Sequence, residues 1–207
     1  MAIDAGAVMD ALKKLYPDAG PELNFSNPYE TLVATVLSAQ CTDKRVNMVT
    51  PALFRDYPDI PSMANADPEV IYGYVRSCGF KSKAVNIVNA CRMLRDEFGG
   101  TVPRTLEELT QLPGVGRKTA SVVLLAAFHI PAMPVDTHVF RVSNRLGLAH
   151  ASTVENTEKQ LRALLPEKEW FFAHHALILH GRRVCHSQRP DCDGCPLREQ
   201  CETARTR

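Results

Sequence analysis

Apolar residues recur three and four positions apart along this chain. Leu106, Leu109 and Leu112, and again Leu161, Leu164 and Leu165, keep the spacing that lines one face of a helix. No stretch alternates at period two beside a hairpin-type turn, so strands are not expected. Helix-start signals are spread over the whole length. Asn27-Pro28 and Asp67-Pro68 each set a cap before proline at the first helical position, while Thr105 with Glu108 and Ser152 with Glu155 have the spacing of capping boxes. The pattern predicts an all-α protein of about ten short helices. Its 14 prolines fall mostly between these elements, which implies short, ordered connections without a flexible linker or a repeat array.

A length of 207 residues, 45% hydrophobic and 23% charged, is enough for one large or two small cores and excludes a disordered or fibrous chain. Lys+Arg number 24 against 23 Asp+Glu, so a uniformly basic, histone-like protein is excluded as well. The charge is nevertheless uneven. Residues 1–30 carry a net −3, whereas residues 112–148 hold Arg117, Lys118, Arg141 and Arg145 against Asp136 alone, so an anionic partner is expected to meet the second half. The longest apolar run, Val122 to Phe128, is far below the roughly 18 residues of a membrane-spanning helix, and no membrane passage is expected. The first fifteen residues lack the order of a targeting signal, which predicts a mature intracellular protein. Seven cysteines, four of them within residues 185–201, fit a disulfide framework poorly and a metal site in a reducing compartment well.

Two segments look unlike ordinary core or surface. The first, LPGVGRKTASVVLLAAF at residues 112–128, reads as a helix end, a Pro-Gly-x-Gly turn and a helix apolar enough to be buried on every side. Gly114 and Gly116 allow positive φ and close approach, so their amides and those of the next helical turn can converge on one phosphate; the bare alternative is a tight turn between helices. Lys118 follows in the first helical turn. Apolar surroundings, the adjacent Arg117 and the positive helix end would all favour its neutral, nucleophilic amine, with an ordinary phosphate-binding lysine as the alternative. Asp136, in Pro134-Val135-Asp136-Thr137-His138-Val139-Phe140-Arg141, reads as the cap of a further helix. A carboxylate kept ionised by helix amides could also stabilise a developing sugar cation.

The second segment is the tail, where Cys185, Cys192, Cys195 and Cys201 have the spacing C-x6-C-x2-C-x5-C. Four thiolates suit tetrahedral zinc and a [4Fe-4S] cluster alike, and spacing does not choose between them. His186 and Arg189 lie in the loop between the first two of these cysteines, where basic groups could meet phosphate or simply face solvent. Cys41, Cys78 and Cys91 read as small buried hydrophobes, and His174, His175 and His180 as core or interface histidines.

Together LPGVGRKTA, VDTHVFR and the tail cysteines resemble the endonuclease III family of bifunctional DNA glycosylases and abasic-site lyases, and the resemblance covers nearly the whole chain. It implies a helix-hairpin-helix glycosylase fold of two all-α domains, a six-helix domain at 22–132 and a cluster domain from 1–21 with 133–207, with DNA across the cleft. It assigns Lys118 to attack the sugar C1′, Asp136 to assist from across the domain junction, and a [4Fe-4S] cluster, structural in role, to the four tail cysteines. The damaged base must be flipped out of the duplex. By resemblance Gln40 fills the hole, Ser38 lies near the pocket and Asp43 supports the turn. Further DNA contacts are expected from Gly114, Val115, Gly116, Arg117, His138, Arg141, His186 and Arg189. The implied partner is double-stranded DNA containing damaged pyrimidines or abasic sites, met by a monomer in the cytoplasm on nucleoid DNA.

One departure from the family pattern is local. Typical members place three residues between the glycine equivalent to Gly79 and the Ser-Lys-Ala that opens the next helix, and this chain has only Phe80 and Lys81 before Ser82-Lys83-Ala84. Phe80 is the one apolar side chain available to wedge the opposite strand, or it packs inward beneath the loop. Two rivals remain in view. An adenine-mismatch glycosylase would carry a glutamate where Val36 stands, and a non-catalytic cluster-bearing DNA-binding module would need neither Lys118 nor Asp136.

Overall fold

A computed structural model describes residues 3–205, and every regular element among them is helical. The chain divides into two compact units: Pro21–Ile130, and a second unit made from both chain ends.

The second unit begins with α1 (Ala5–Leu15), capped by Asp4, whose carboxylate accepts from the Ala7 amide at 3.0 Å. It continues with α9 (Thr137–Leu146), α10 (Val154–Leu164), α11 (Trp170–Arg183) and the short α12 (Glu202–Arg205). Helix α11 packs against both α1 and α9. Val8 and Leu12 of α1, Val139 and Val142 of α9, Leu161 of α10 and Leu177 of α11 bury their side chains together with Leu197 from the tail. The amino-terminal helix is therefore part of the core of the carboxy-terminal segment.

The unit Pro21–Ile130 holds α2 (Pro28–Ser38), α3 (Asp43–Asp56), α4 (Ile60–Ala64), α5 (Pro68–Val75), a 3₁₀ turn (Arg76–Cys78), α6 (Ser82–Glu97), α7 (Leu106–Leu109) and α8 (Arg117–Phe128). Its most enclosed helix is α2, with residues 31–37 buried without interruption. Two of these are threonines. Their hydroxyls return to the helix, Thr31 to the Asn27 carbonyl at 2.9 Å and Thr35 to the Thr31 carbonyl at 2.6 Å, so no polar group is left unsatisfied. The expectation that residues 117–128 would be buried on every side does not hold. Ala120, Ser121, Val123, Leu124 and Leu125 of α8 turn inward, whereas Val122, Ala126, Ala127 and Phe128 are only half-buried, and the Arg104 guanidinium covers the Phe128 ring at 5.0 Å.

The caps follow sequence with two differences. Asn27 and Asp67 cap α2 and α5 ahead of Pro28 and Pro68, and Thr105 caps α7. At α7 the Glu108 carboxylate accepts from the Thr105 hydroxyl instead of reaching the cap amide. At α10 the cap is Thr153, one residue later than Ser152, because Thr153 takes the extended backbone and accepts from the Asn156 amide. A reciprocal capping box occurs elsewhere, between Asp59 and Ser62 at α4.

Leu12 is fully buried, whereas Leu164 is 41% exposed. Leu12→Ala should lower unfolding stability by about 2–5 kcal/mol, and Leu164→Ala by no more than about 0.5 kcal/mol, measured by urea denaturation. An α1 that frayed from its unit would give equal, small effects at both positions.

Candidate functional site

In the unit Pro21–Ile130 the glycine turn joins α7 to α8. The Val115 amide donates to the Leu112 carbonyl at 3.0 Å, with Pro113 second and Gly114 third in the turn. Gly114 has φ +79, the left-handed value that the third position of such a turn demands. A Cβ there would also lie 2.8 Å from Asn86 Cβ of α6, so close helix approach and backbone hand both select glycine. Gly116 is different. It caps α8 with an extended backbone, and a Cβ built on it meets nothing within 4 Å. Leu112 and Val115 are buried and anchor the turn, while Gly114, Gly116, Arg117 and Lys118 are exposed. Val115, expected as a DNA contact, can therefore present only its main chain.

Lys118 occupies the first turn of α8. It is exposed, while the apolar side chains of α8 lie on the faces turned inward. Gln40, also exposed, follows the end of α2 and has φ +56, a left-handed backbone uncommon for a residue other than glycine. Ser38 is half-buried and spends its hydroxyl on the Thr35 carbonyl at 2.9 Å. Asp43 lies in the first turn of α3. Phe80 is 74% exposed, which overturns inward packing beneath its loop. Cys78 and Cys91 are buried as expected, and burial pushes the Cys91 thiol up to about 12; Cys41 departs from expectation and is only half-buried.

In the other unit Asp136 caps α9 through Oδ1, which accepts from the Val139 amide at 2.8 Å. His138, two residues on in the first turn of α9, is half-buried, and burial pushes its imidazole below the usual histidine range. Asp136 opposes that shift, while Arg141 and Arg182 reinforce it. Arg141 is committed within the chain: its guanidinium donates to the Cys185 carbonyl at 3.1 Å and the Gly181 carbonyl at 3.0 Å, and meets His138 Nδ1 at 3.1 Å. Any phosphate contact by Arg141 would have to be added to these bonds.

The four tail cysteines, with His180, Arg145 and Arg198, line one cavity of about 30 Å³. Among the described residues no three Cys, His, Asp or Glu side chains converge as ligands of a single metal ion. Burial raises the Cys195 and Cys201 thiols, and the neighbouring tail thiols add to both shifts. Such a set can be held as thiolates only by compensating positive charge in its midst, which is what a metal centre supplies. The donor set thus fits a metal group. The loop after Cys185 is fixed by Arg145, which donates to the His186 carbonyl at 2.6 Å and the Ser187 carbonyl at 2.9 Å and approaches Cys185 Sγ at 3.5 Å. His186 and Arg189 are exposed on that loop, and Arg189 has φ +50.

Sequence reasoning missed the shell around these sulfurs. His180 Nε2 lies 3.6 Å from Cys195 Sγ and its Nδ1 lies 3.1 Å from the Tyr16 hydroxyl of the residue that ends α1. Burial pushes this imidazole down to about 4. The position of His180 five residues before Cys185 was the one available signal, since nothing in sequence marks Tyr16 or Arg145. His174 and His175 are, as expected, satisfied by backbone, at the Pro134 and Phe171 carbonyls.

Helical units, a glycine hairpin followed by a basic helix start and a four-cysteine tail define a class, and comparison with known proteins agrees. Residues 33–167 match the family model of the HhH-GPD superfamily of base excision DNA repair proteins. Endonuclease III of a Synechocystis species is 48% identical over 97% of this chain and 92% of its own length, and that of Escherichia coli K12 is 41% identical over 94% and 93%. A solved structure described as a trapped endonuclease III–DNA covalent intermediate, an estranged-adenine complex, superposes with a TM-score of 0.91 at 45% identity, covering 97% of this chain and 95% of that one. The chain belongs to the endonuclease III family of base excision repair DNA glycosylases.

The hairpin geometry makes a graded prediction. Gly99 has φ +61 but open space around a built Cβ, so Gly99→Ala should cost about 1 kcal/mol for backbone hand alone. Gly114→Ala adds the clash with Asn86 and should cost about 3 kcal/mol, read as the difference in urea midpoints of the two variants. Equal losses would remove the close approach to α6 as a constraint.

Proposed function

We propose that this protein removes oxidised pyrimidines from duplex DNA and cleaves the strand at the abasic site through an imine on Lys118. The observation that carries the reading is Lys118 itself: a lysine in the first turn of α8, directly after a glycine turn whose outward face at Gly116 is open. A relative of 45% identity whose structure is a covalent DNA intermediate supports a nucleophile in this chain as well.

The roles follow from the chemistry of the groups. Phosphate is received by the amides at Gly114 and Gly116 and by the exposed Arg117, with His186 and Arg189 as a second contact. Gln40 and Phe80 fill and wedge the duplex where the nucleotide has left the stack. The Lys118 amine attacks C1′ as the C1′–N bond breaks, and the base departs with a proton. Asp136 stabilises the positive charge that develops on the sugar. The product is an imine between Lys118 and the opened sugar, which acidifies the C2′ proton. Loss of that proton expels the 3′ phosphate by β-elimination, and water then hydrolyses the imine and frees the amine. The oxidised-pyrimidine substrate fits the chain better than a mismatched adenine, because the position where the adenine enzyme would need a glutamate is Val36, 5% exposed in the last turn of α2.

Cys185, Cys192, Cys195 and Cys201, which line one cavity, would hold a [4Fe-4S] cluster, the group that the family resemblance implies for a four-thiolate set that by its chemistry suits zinc as well. When bound, such a group cross-links the tail and stiffens the loop carrying His186 and Arg189. The setting we infer is a monomer acting on nucleoid DNA in the cytoplasm.

Borohydride should trap a covalent complex between the protein and abasic DNA. Lys118→Ala should bind that DNA and give no adduct; an adduct that persists would place the nucleophile elsewhere. Asp136→Asn keeps a good helix cap, so it should melt like the parent while losing base excision by roughly 10²–10⁴-fold. Normal excision in Asp136→Asn with destabilised Asp136→Ala would leave Asp136 a cap only.

The purified protein should be brown, with iron and acid-labile sulfide in a ratio of about one. Colourless protein with stoichiometric zinc would overturn the cluster.

A further inference from the structure

Lys83, the second residue of α6, is half-buried and spends its ammonium group on main chain. Its Nζ donates to the Leu37 carbonyl at 2.8 Å, to the Cys78 carbonyl at 2.6 Å and to the Ala39 carbonyl. An ammonium has three donors, and these three acceptors match them one for one. Leu37 and Ala39 belong to the last turn and cap of α2, where carbonyls lack helical partners and helix dipoles concentrate negative charge. Cys78 ends the 3₁₀ turn Arg76–Cys78. One cation therefore joins the end of α2 to the 3₁₀ turn, segments far apart in sequence, by charge-assisted bonds stronger than neutral ones.

Both segments are irregular immediately beyond the tie. Gln40, with φ +56, follows Ala39, and Gly79, with φ +123, follows Cys78. A Cβ on Gly79 would stand 3.4 Å from Lys83 Nζ, an ordinary contact, so it is the positive φ and not lack of space that selects glycine beside the ammonium. The exposed Phe80 comes next, and its carbonyl accepts from the Lys83 amide at 3.0 Å.

We propose that Lys83 is a positioning residue that makes the Gln40 turn and the Phe80 loop enter the duplex as one body, so that filling the vacated stack and wedging the opposite strand occur together. The inference rests on the reading that Gln40 and Phe80 meet DNA. Its physical content is separate: two unusual backbone segments share one electrostatic anchor, and removing the anchor loosens both. Lys83→Met keeps the apolar stem and deletes the donors, whereas Lys83→Gln keeps two donors without the charge.

Two measurements test it. Amide hydrogen exchange on the free protein, followed by mass spectrometry, should rise at least about tenfold in Lys83→Met in peptides covering residues 38–43 and 77–82 together, and by less in Lys83→Gln, with the remainder of α6 unchanged. A rise in one segment alone, or in neither, overturns the tie, and needs no DNA. The second measurement is the ratio of damaged-pyrimidine excision from duplex to that from single-stranded DNA. Lys83→Met should lower this ratio about tenfold, mainly through kcat, and adding Phe80→Ala should lower it little further, since both changes disable one body. Losses that multiply would overturn joint action. Phe80→Ala with an unchanged ratio would instead remove the wedge from the proposed function, and the joint entry built on it, while the exchange result still decides whether Lys83 ties the segments. A variant too unstable to purify in the Met form is replaced by Lys83→Gln, for which the same two thresholds apply at about threefold.

Discussion

Arg145 stands at the end of α9, whose first residue follows the Asp136 cap. Its guanidinium holds the His186 and Ser187 carbonyls and approaches Cys185. Arg145 lies nine positions beyond the cap, so at about 1.5 Å per residue α9 is a rod of roughly 14 Å between Asp136 at one end and the clamp on the tail at the other. A cluster in the tail would then act on the chemistry through geometry. On that reading, loss of a ligand would loosen the 186–191 loop and, with it, the carbonyls that hold Arg145 and Arg141, the contacts that tie the helix carrying Asp136 to the tail. Arg141 strengthens the argument because its bonds to Cys185 and Gly181 tie the middle of the same rod to α11.

The other unit solves an equivalent problem by different means. Irregular backbone near DNA cannot be held by a sheet or a long helix, so it needs acceptors satisfied from the side. At the glycine turn this is done by shape, with Gly114 close against Asn86. At the Gln40 turn and the Phe80 loop it is done by charge through Lys83. Arg141, Arg145 and Lys83 all direct cationic donors at main-chain carbonyls, and in each case the carbonyls belong to a segment next to a proposed functional residue. Cations used this way need no partner carboxylate, so each brings an uncompensated positive charge to a segment next to a proposed DNA contact.

Much of this was legible in sequence because local rules act on few residues. Proline after Asn27 and Asp67 marks helix starts that the structure keeps, and Pro-Gly-x-Gly followed by Arg117 and Lys118 marks the hairpin from spacing alone. The four tail cysteines share one cavity as their spacing implied. What sequence hid is what depends on tertiary partners. The apolar string at residues 120–128 pointed to α8 as the enclosed helix, yet α2 takes that place, because its threonines satisfy their hydroxyls within the helix and so read as polar without behaving so. The left-handed Gln40 has no propensity signal, and a lysine that binds three carbonyls looks in sequence like any solvated lysine at a helix start.

The shortened loop shows how far such a tie can reshape a family pattern. One residue fewer between Gly79 and Ser82 removes up to ~3.5 Å of chain, and a loop so shortened should retract its apolar tip. Phe80 is nevertheless the most exposed of the large hydrophobic side chains described. Two features account for this. Gly79 takes φ +123 and ψ −144, a conformation closed to other residues, which turns the chain immediately before Phe80. Lys83 then anchors the loop at both its Cys78 carbonyl and, through its own amide, the Phe80 carbonyl, so the tip stands on a fixed base. The phenyl ring is bulky with only two side-chain torsions, so the exposed Phe80 presents a large apolar surface at a small cost in side-chain entropy. The deletion, the glycine, the phenylalanine and the lysine are therefore one structural solution, and a residue inserted back into this loop without changing Phe80 would move the ring away from the position that Lys83 now sets.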